Sequence, residues 1–129
     1  MLNSETIPST IAALFSAIRA HDLEAWLDCF APDAENFDPA DAPPQIGHVA
    51  IRPALEGAVA TFQSIHITED SVFINGNQAA VKWTADFQGR NGKTAHCEGV
   101  DALEFNENGK IQTLRAYWNP AAMMAQLAD

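Results

Sequence analysis

The sequence predicts an α+β fold: three N-terminal helices packed on a curved, mainly antiparallel sheet. Three observations carry this reading. Apolar residues recur at helical spacing in the first half of the chain and at alternate positions from Ser64 onward. Asn- and Gly-rich turns, Asn75-Gly76-Asn77, Gly89-Arg90-Asn91-Gly92 and Asn106-Glu107-Asn108-Gly109, punctuate the second half and supply left-handed backbone for hairpins. No internal repeat or linker interrupts the 129 residues, so the chain reads as one domain.

Ile11, Leu14, Phe15 and Ile18 define the first amphipathic helix, and Leu23, Trp26, Leu27 and Phe30 the second. Asp22 has the residue type and position to cap the second, with His21-Asp22 as the corner between them. Ala34 to Asp38 reads as a short extended piece, because proline at 39 disfavours helical backbone at Asp38. The Pro-dense stretch from Pro39 to Pro44 reads as a loop, and a third helix fits Val49 to Phe62. Four strands follow: Ser64 to Ile74 with a potential break at Glu69-Asp70, Ala79 to Phe87, Thr94 to Phe105, and Ile111 to Trp118. Asn119-Pro120 then opens a C-terminal helix through Leu127, with Asn as cap and proline at the first helical position.

Hydrophobic residues make up 47% of the chain and charged residues 19%, enough to build a core and too apolar for disorder. The net charge of −10 repels phosphate backbones and anionic lipid, and the seven cations are scattered, so nucleic acid is not expected as a partner. No apolar run is long enough to span a membrane, and Met1 to Ser9 has neither the charge nor the apolar core of a signal peptide. A cytoplasmic location is therefore expected. Cys29 and Cys97 read as small core residues. His21, His48, His66 and His96 fall on four separate elements without ligand spacing, so no metal or cofactor is expected.

Alternation assigns the strand faces. Val81, Trp83, Ala85 and Phe87 share one face and Lys82, Thr84 and Asp86 the other. In the next strand the apolar parity holds Cys97, Gly99, Leu103 and Phe105, and with them Asp101. Leu114, Ala116 and Trp118 face the same interior. A carboxyl group among hydrophobic side chains must find a cation or keep its proton. Either Asp101 is turned outward by a bulge or satisfied as a structural group, or it is a neutral acid in a pocket for a mostly apolar ligand with one carbonyl. Taken alone, Phe15, Trp26 and Trp83 read as core.

The chain resembles the nuclear transport factor two-like superfamily, in its ketosteroid isomerase and SnoaL-like branch. The resemblance rests on Ala20-His21-Asp22-Leu23, Phe30-Ala31-Pro32-Asp33-Ala34, Phe37-Asp38-Pro39, Gly47 with Ile51-Arg52, Asp101 to Phe105, Asn108-Gly109-Lys110-Ile111 and Arg115-Ala116-Tyr117-Trp118. It implies a cone of sheet wrapped by helices around an internal pocket, often paired as a homodimer through the outer sheet face. It also implies a catalytic base at Asp38 and a protonated acid at Asp101 that binds the oxygen of an enolate, the pKa logic for which ketosteroid isomerase is itself the standard example. Leu14, Phe15, Leu55, Trp83, Leu103 and Trp118 become candidate substrate-binding residues.

The isomerase's oxyanion Tyr falls on Leu14 and a supporting Tyr on Leu55, neither of which donates a hydrogen bond. One lost oxyanion donor costs about 2.7–4 kcal/mol, which argues against efficient steroid isomerisation. The expected activity is proton transfer beside a carbonyl of a small hydrophobic ligand. The alternatives are a non-catalytic binding module or another SnoaL-like chemistry: cyclisation, hydroxylation or epoxide opening. Glu35, Asp41 and Glu98 are weaker bases in solvent-facing settings, and His48 is a weaker acid or base.

Overall fold

The change of period near Phe62 is where helix gives way to sheet. The computed structural model describes residues 2–129 as α1 (Thr6–Ala20), α2 (Leu23–Asp28), β1 (Phe30–Phe37), β2 (Gln45–Ile46), α3 (Gly47–Thr61), β3 (Phe62–Asn75), β4 (Gln78–Gly89), β5 (Thr94–Phe105), β6 (Ile111–Tyr117) and α4 (Pro120–Leu127). The strands form one curved sheet in the order β2-β1-β6-β5-β4-β3. β3 to β6 are an antiparallel meander, and β1 joins it parallel to β6, so the sheet is mixed.

Local chemistry sets the helix ends. α1 closes at His21, whose backbone turns left-handed at φ 54°. Asp22 then caps α2 by accepting the Ala25 N–H at 3.1 Å, and Asn119 caps α4 by accepting that of Ala122 at 2.9 Å. α1 packs on β3, α3 on β1 and α4 on β5, enclosing the inner face of the sheet. Ile7, Ile11, Leu14, Phe15 and Ile18 form the buried stripe of α1. Gly76 and Gly92 take positive φ in their hairpins, as the turn sequences require.

Three elements differ from expectation. Phe30 is not the last apolar position of α2 but the first residue of β1, paired with Ile111; the Ile111 N–H donates to the Cys29 carbonyl at 2.8 Å and draws the chain out of the helix. β1 is thus longer than the short piece read from sequence, because pairing to β6 overrides its polar composition. β2, a two-residue strand inside the Pro-dense stretch, pairs with β1 and carries too little pattern to be read locally. At Glu69-Asp70 the strand does not break; the register with β4 shifts there as a bulge.

The interior follows the parity. Val81, Trp83, Ala85 and Phe87 of β4 are buried, as are Asp101, Leu103 and Phe105 of β5 and Leu114 and Ala116 of β6. Cys29 is buried and Cys97 half-buried; neither is in a disulfide, and burial pushes both thiols up to about 11. Among the described residues no helix is long and apolar enough to cross a membrane.

Candidate active site

Between the helices and the concave face lies a cavity of about 130 Å³. Its walls are almost wholly apolar: Ile18 and Ala58 from the helices, Phe62, Ile65 and Ile67 from β3, Phe87 from β4, Ala116 from β6, and the three indoles of Trp26, Trp83 and Trp118. Only two carboxyl groups interrupt this lining, Asp38 and Asp101.

Asp101 sits mid-strand on the inward face of β5, opposite Val81, and is 7% exposed. No bulge turns it outward, since the β4–β5 register is unbroken from Gln78 to Gln88. Oδ1 accepts the indole N–H of Trp83 at 3.1 Å, and Oδ2 takes no hydrogen bond among the described residues. Burial raises its pKa to about 7; the Trp83 N–H opposes the shift and the charge of Asp38 adds to it. Among the described residues no cation faces it, so near neutrality Asp101 holds its proton for a large part of the time.

Asp38 follows the end of β1, and alternation from Ala34 and Asn36 carries its side chain to the same interior. Its Oδ1 accepts the Trp118 N–H at 2.7 Å, and its peptide bond to Pro39 is cis. Burial raises its pKa and the Trp118 hydrogen bond lowers it. The residue as a whole is nevertheless exposed to solvent, being at the mouth of the cavity. Solvent access limits the desolvation penalty, so Asp38 is the more readily ionised of the pair.

The two indoles touch. Trp83 and Trp118 meet edge to face at 5.7 Å, and Trp118 stacks on Phe87 at 5.7 Å and 7°. Gly99 permits this arrangement. A Cβ there would stand 2.6 Å from Trp83 Cζ2, 2.7 Å from the Tyr117 carbonyl oxygen and 2.8 Å from Trp118 Cβ. Gly99 pairs with Trp83 across β4–β5, and only its bare backbone lets the indole lie flat and reach Asp101.

Of the residues singled out from sequence, Asp38, Asp101, Trp83 and Trp118 come together on this cavity. Leu14, Phe15, Leu55 and Leu103 are buried core residues outside its wall. The helical wall instead uses Ile18 and Ala58, one turn further along α1 and α3. Trp26, which spacing alone reads as core, lines the cavity, and Gly99 adds a functional position whose one sequence signal is a glycine in mid-strand. The other acids and histidines lie elsewhere. Glu98 pairs with Lys82 at 3.7 Å, His96 with Asp86 at 2.8 Å, and His48 Nε2 meets the Phe30 carbonyl at 2.8 Å. Among the described residues no three His, Cys, Asp or Glu side chains cluster as metal ligands would.

A helix-wrapped roll with an apolar chamber and two inward carboxyl groups defines a class of scaffold rather than one activity. The model of the SnoaL-like domain matches residues 11–114, and the chain belongs to that family. Solved structures agree on the fold. The epoxide hydrolase/cyclase-like enzyme SalBIII, which acts in pyran ring formation in the polyether salinomycin, superposes with a TM-score of 0.82 at 21% identity, covering 92% of this chain and 95% of that one. Δ5-3-ketosteroid isomerase from Mycobacterium sp. gives 0.80 at 22% identity, covering 92% and 96%. RV0760c from Mycobacterium tuberculosis, in complex with estradiol-17β-hemisuccinate, also gives 0.80 at 22% identity, covering 92% and 96%.

Proposed function

We propose that the chain is an enzyme that moves a proton beside a carbonyl group of a small hydrophobic molecule. The observation that carries the reading is the convergence of two carboxyl groups in unequal surroundings on one apolar cavity. Ionised Asp38 removes a proton from the carbon next to the carbonyl. The C–H electrons move into the carbonyl, and Asp101 donates its O–H to the oxygen as negative charge gathers there. Asp38 then returns the proton to another carbon of the conjugated system, so atoms and charge balance without a cofactor. Each group favours the required state of the other, because the negative charge of Asp38 helps Asp101 keep its proton.

Size narrows the substrate. The cavity of about 130 Å³ is well below the roughly 300–1,000 Å³ of ordinary ligand pockets. It compares with the 150 Å³ cavity that binds benzene, so a compound of about one ring fits without rearrangement. A four-ring steroid exceeds this volume and would need the cavity walls to move. With Leu14 and Leu55 buried away from the cavity, no second oxyanion donor comes from those positions.

A second reading uses the same pair for opening a strained cyclic ether, with Asp101 protonating the ether oxygen and Asp38 activating the nucleophile. The SalBIII likeness favours it. The deciding experiment offers one-ring enolisable enones, a Δ5-3-ketosteroid and a one-ring epoxide to the protein and to Asp38→Asn, following ultraviolet absorbance or product formation. Enone isomerisation lost in Asp38→Asn supports the first reading, and epoxide turnover alone supports the second. A compound that raises Tm and is recovered unchanged argues for a binding module. Two copies are proposed to pair through the outer face of the sheet, where Phe73 and Ile74 are exposed; a monomer by light scattering would remove that element.

A further inference from the structure

We infer that Trp83 is a positioning residue for Asp101: its indole N–H reserves Oδ1 as the carbonyl oxygen and leaves Oδ2 to carry the hydroxyl hydrogen into the cavity. An indole nitrogen only donates. In a neutral carboxyl group a hydrogen placed on Oδ1 toward Nε1 would set two hydrogens against each other, and the carbonyl oxygen is the stronger acceptor, so the 3.1 Å contact favours C=O at Oδ1. Oδ2 has no partner among the described residues, and Asp101 lines the cavity. The O–H is thus directed at whatever acceptor occupies the cavity, a ligand oxygen when one is bound.

Trp83 can do this because it is itself held. Trp83 is 3% exposed, its ring meets Trp118 edge to face, and it lies over Gly99, where any side chain would collide with it. Asp38 does not offer the same arrangement, since it lies at the solvent-exposed mouth and its indole partner is half-buried. The inference rests on the acid–base reading for its use in catalysis, but its geometry concerns the resting protein alone.

The same N–H has a second effect. It stabilises the ionised form of Asp101, which opposes the effect of burial. Removing the N–H while keeping an aromatic ring should therefore make Asp101 hold its proton to higher pH and lose its fixed orientation.

The test uses carboxyl-labelled protein, unmodified and Trp83→Phe, followed by carbon NMR and by infrared spectroscopy without substrate. In Trp83→Phe the Asp101 midpoint is expected to rise by about one unit. The C=O stretch of the neutral acid is expected at higher wavenumber, because a carbonyl that no longer accepts a hydrogen bond stiffens. In the unmodified protein the Trp83 indole resonance should titrate with the Asp101 midpoint, a measurement that stands even where the variant fails to fold. An unmoved midpoint, an unmoved C=O stretch, or an indole resonance blind to the Asp101 titration would each overturn the inference. Absence of turnover with every ketone would instead sink the proposed reaction and leave these spectra as they are.

Discussion

The two acids of the cavity are the same residue with the same kind of partner, each accepting an indole N–H through Oδ1, yet they stand in opposite conditions. Asp101 is in the middle of a central strand, under the helices, and its carboxyl is lifted to about 7. Asp38 is just past the end of a strand, where water reaches it. Position along a strand, not residue type, therefore divides the proton-holding role from the proton-accepting one. A pair made equally exposed would both be ionised, and a pair made equally buried would compete for one proton.

Removing one member at a time tests that division. Asp38→Asn should lower turnover of a one-ring enone by about 10²–10⁴-fold, the usual range for a positioned base, as read from initial rates. Asp101→Asn should lower turnover of the same enone by about 10²–10³-fold, the usual loss for an oxyanion donor, and it also changes stability. The folded state keeps a proton on Asp101 that the unfolded chain releases above its ordinary value of 3.8, so stability falls as pH rises from about 4 to about 7 and is level above that. Asn has no proton to lose, and its Oδ1 can still accept from Trp83. Urea unfolding should show the variant gaining up to about 4 kcal/mol over the parent at pH 8 and little or nothing at pH 3. A parent curve flat between these pH values would mean that Asp101 is not neutral in the fold.

Gly99→Ala should cost about 1–3 kcal/mol, since a Tyr117 backbone oxygen cannot retreat as a side chain can. Its Asp101 should also titrate as in Trp83→Phe, once the indole is displaced. Trp118→Phe is the mildest change. Asp38 should titrate higher, by less than Asp101 does in Trp83→Phe, because water takes the place of the lost N–H at the mouth. Equal shifts in the two variants would show that the exposure difference does not govern the pair.

Much of this was legible in the sequence because strand parity is a strict code. Clean alternation from Val81 to Phe87 puts Trp83 inside, alternation from Cys97 to Phe105 puts Asp101 on the apolar parity with an outward bulge still open, and the Asn and Gly turns mark the hairpins. Asp38 was less legible, since parity at a strand end depends on how far pairing continues, and here β1 pairs with β6, some eighty residues away. The indole–carboxyl contacts were not legible, because they run diagonally between strands whose register no local pattern states. The helical wall differs by one turn from the one the resemblance implies: Ile18 and Ala58 line the cavity, and Leu14 and Leu55 are buried beside it in the core.

All three tryptophans of the chain border this one chamber. Its intrinsic fluorescence therefore originates where a guest would sit, with no distant emitter to dilute the signal. Occupancy, and the hydrogen on Asp101, can be followed by the colour and yield of that emission in untagged, unlabelled protein.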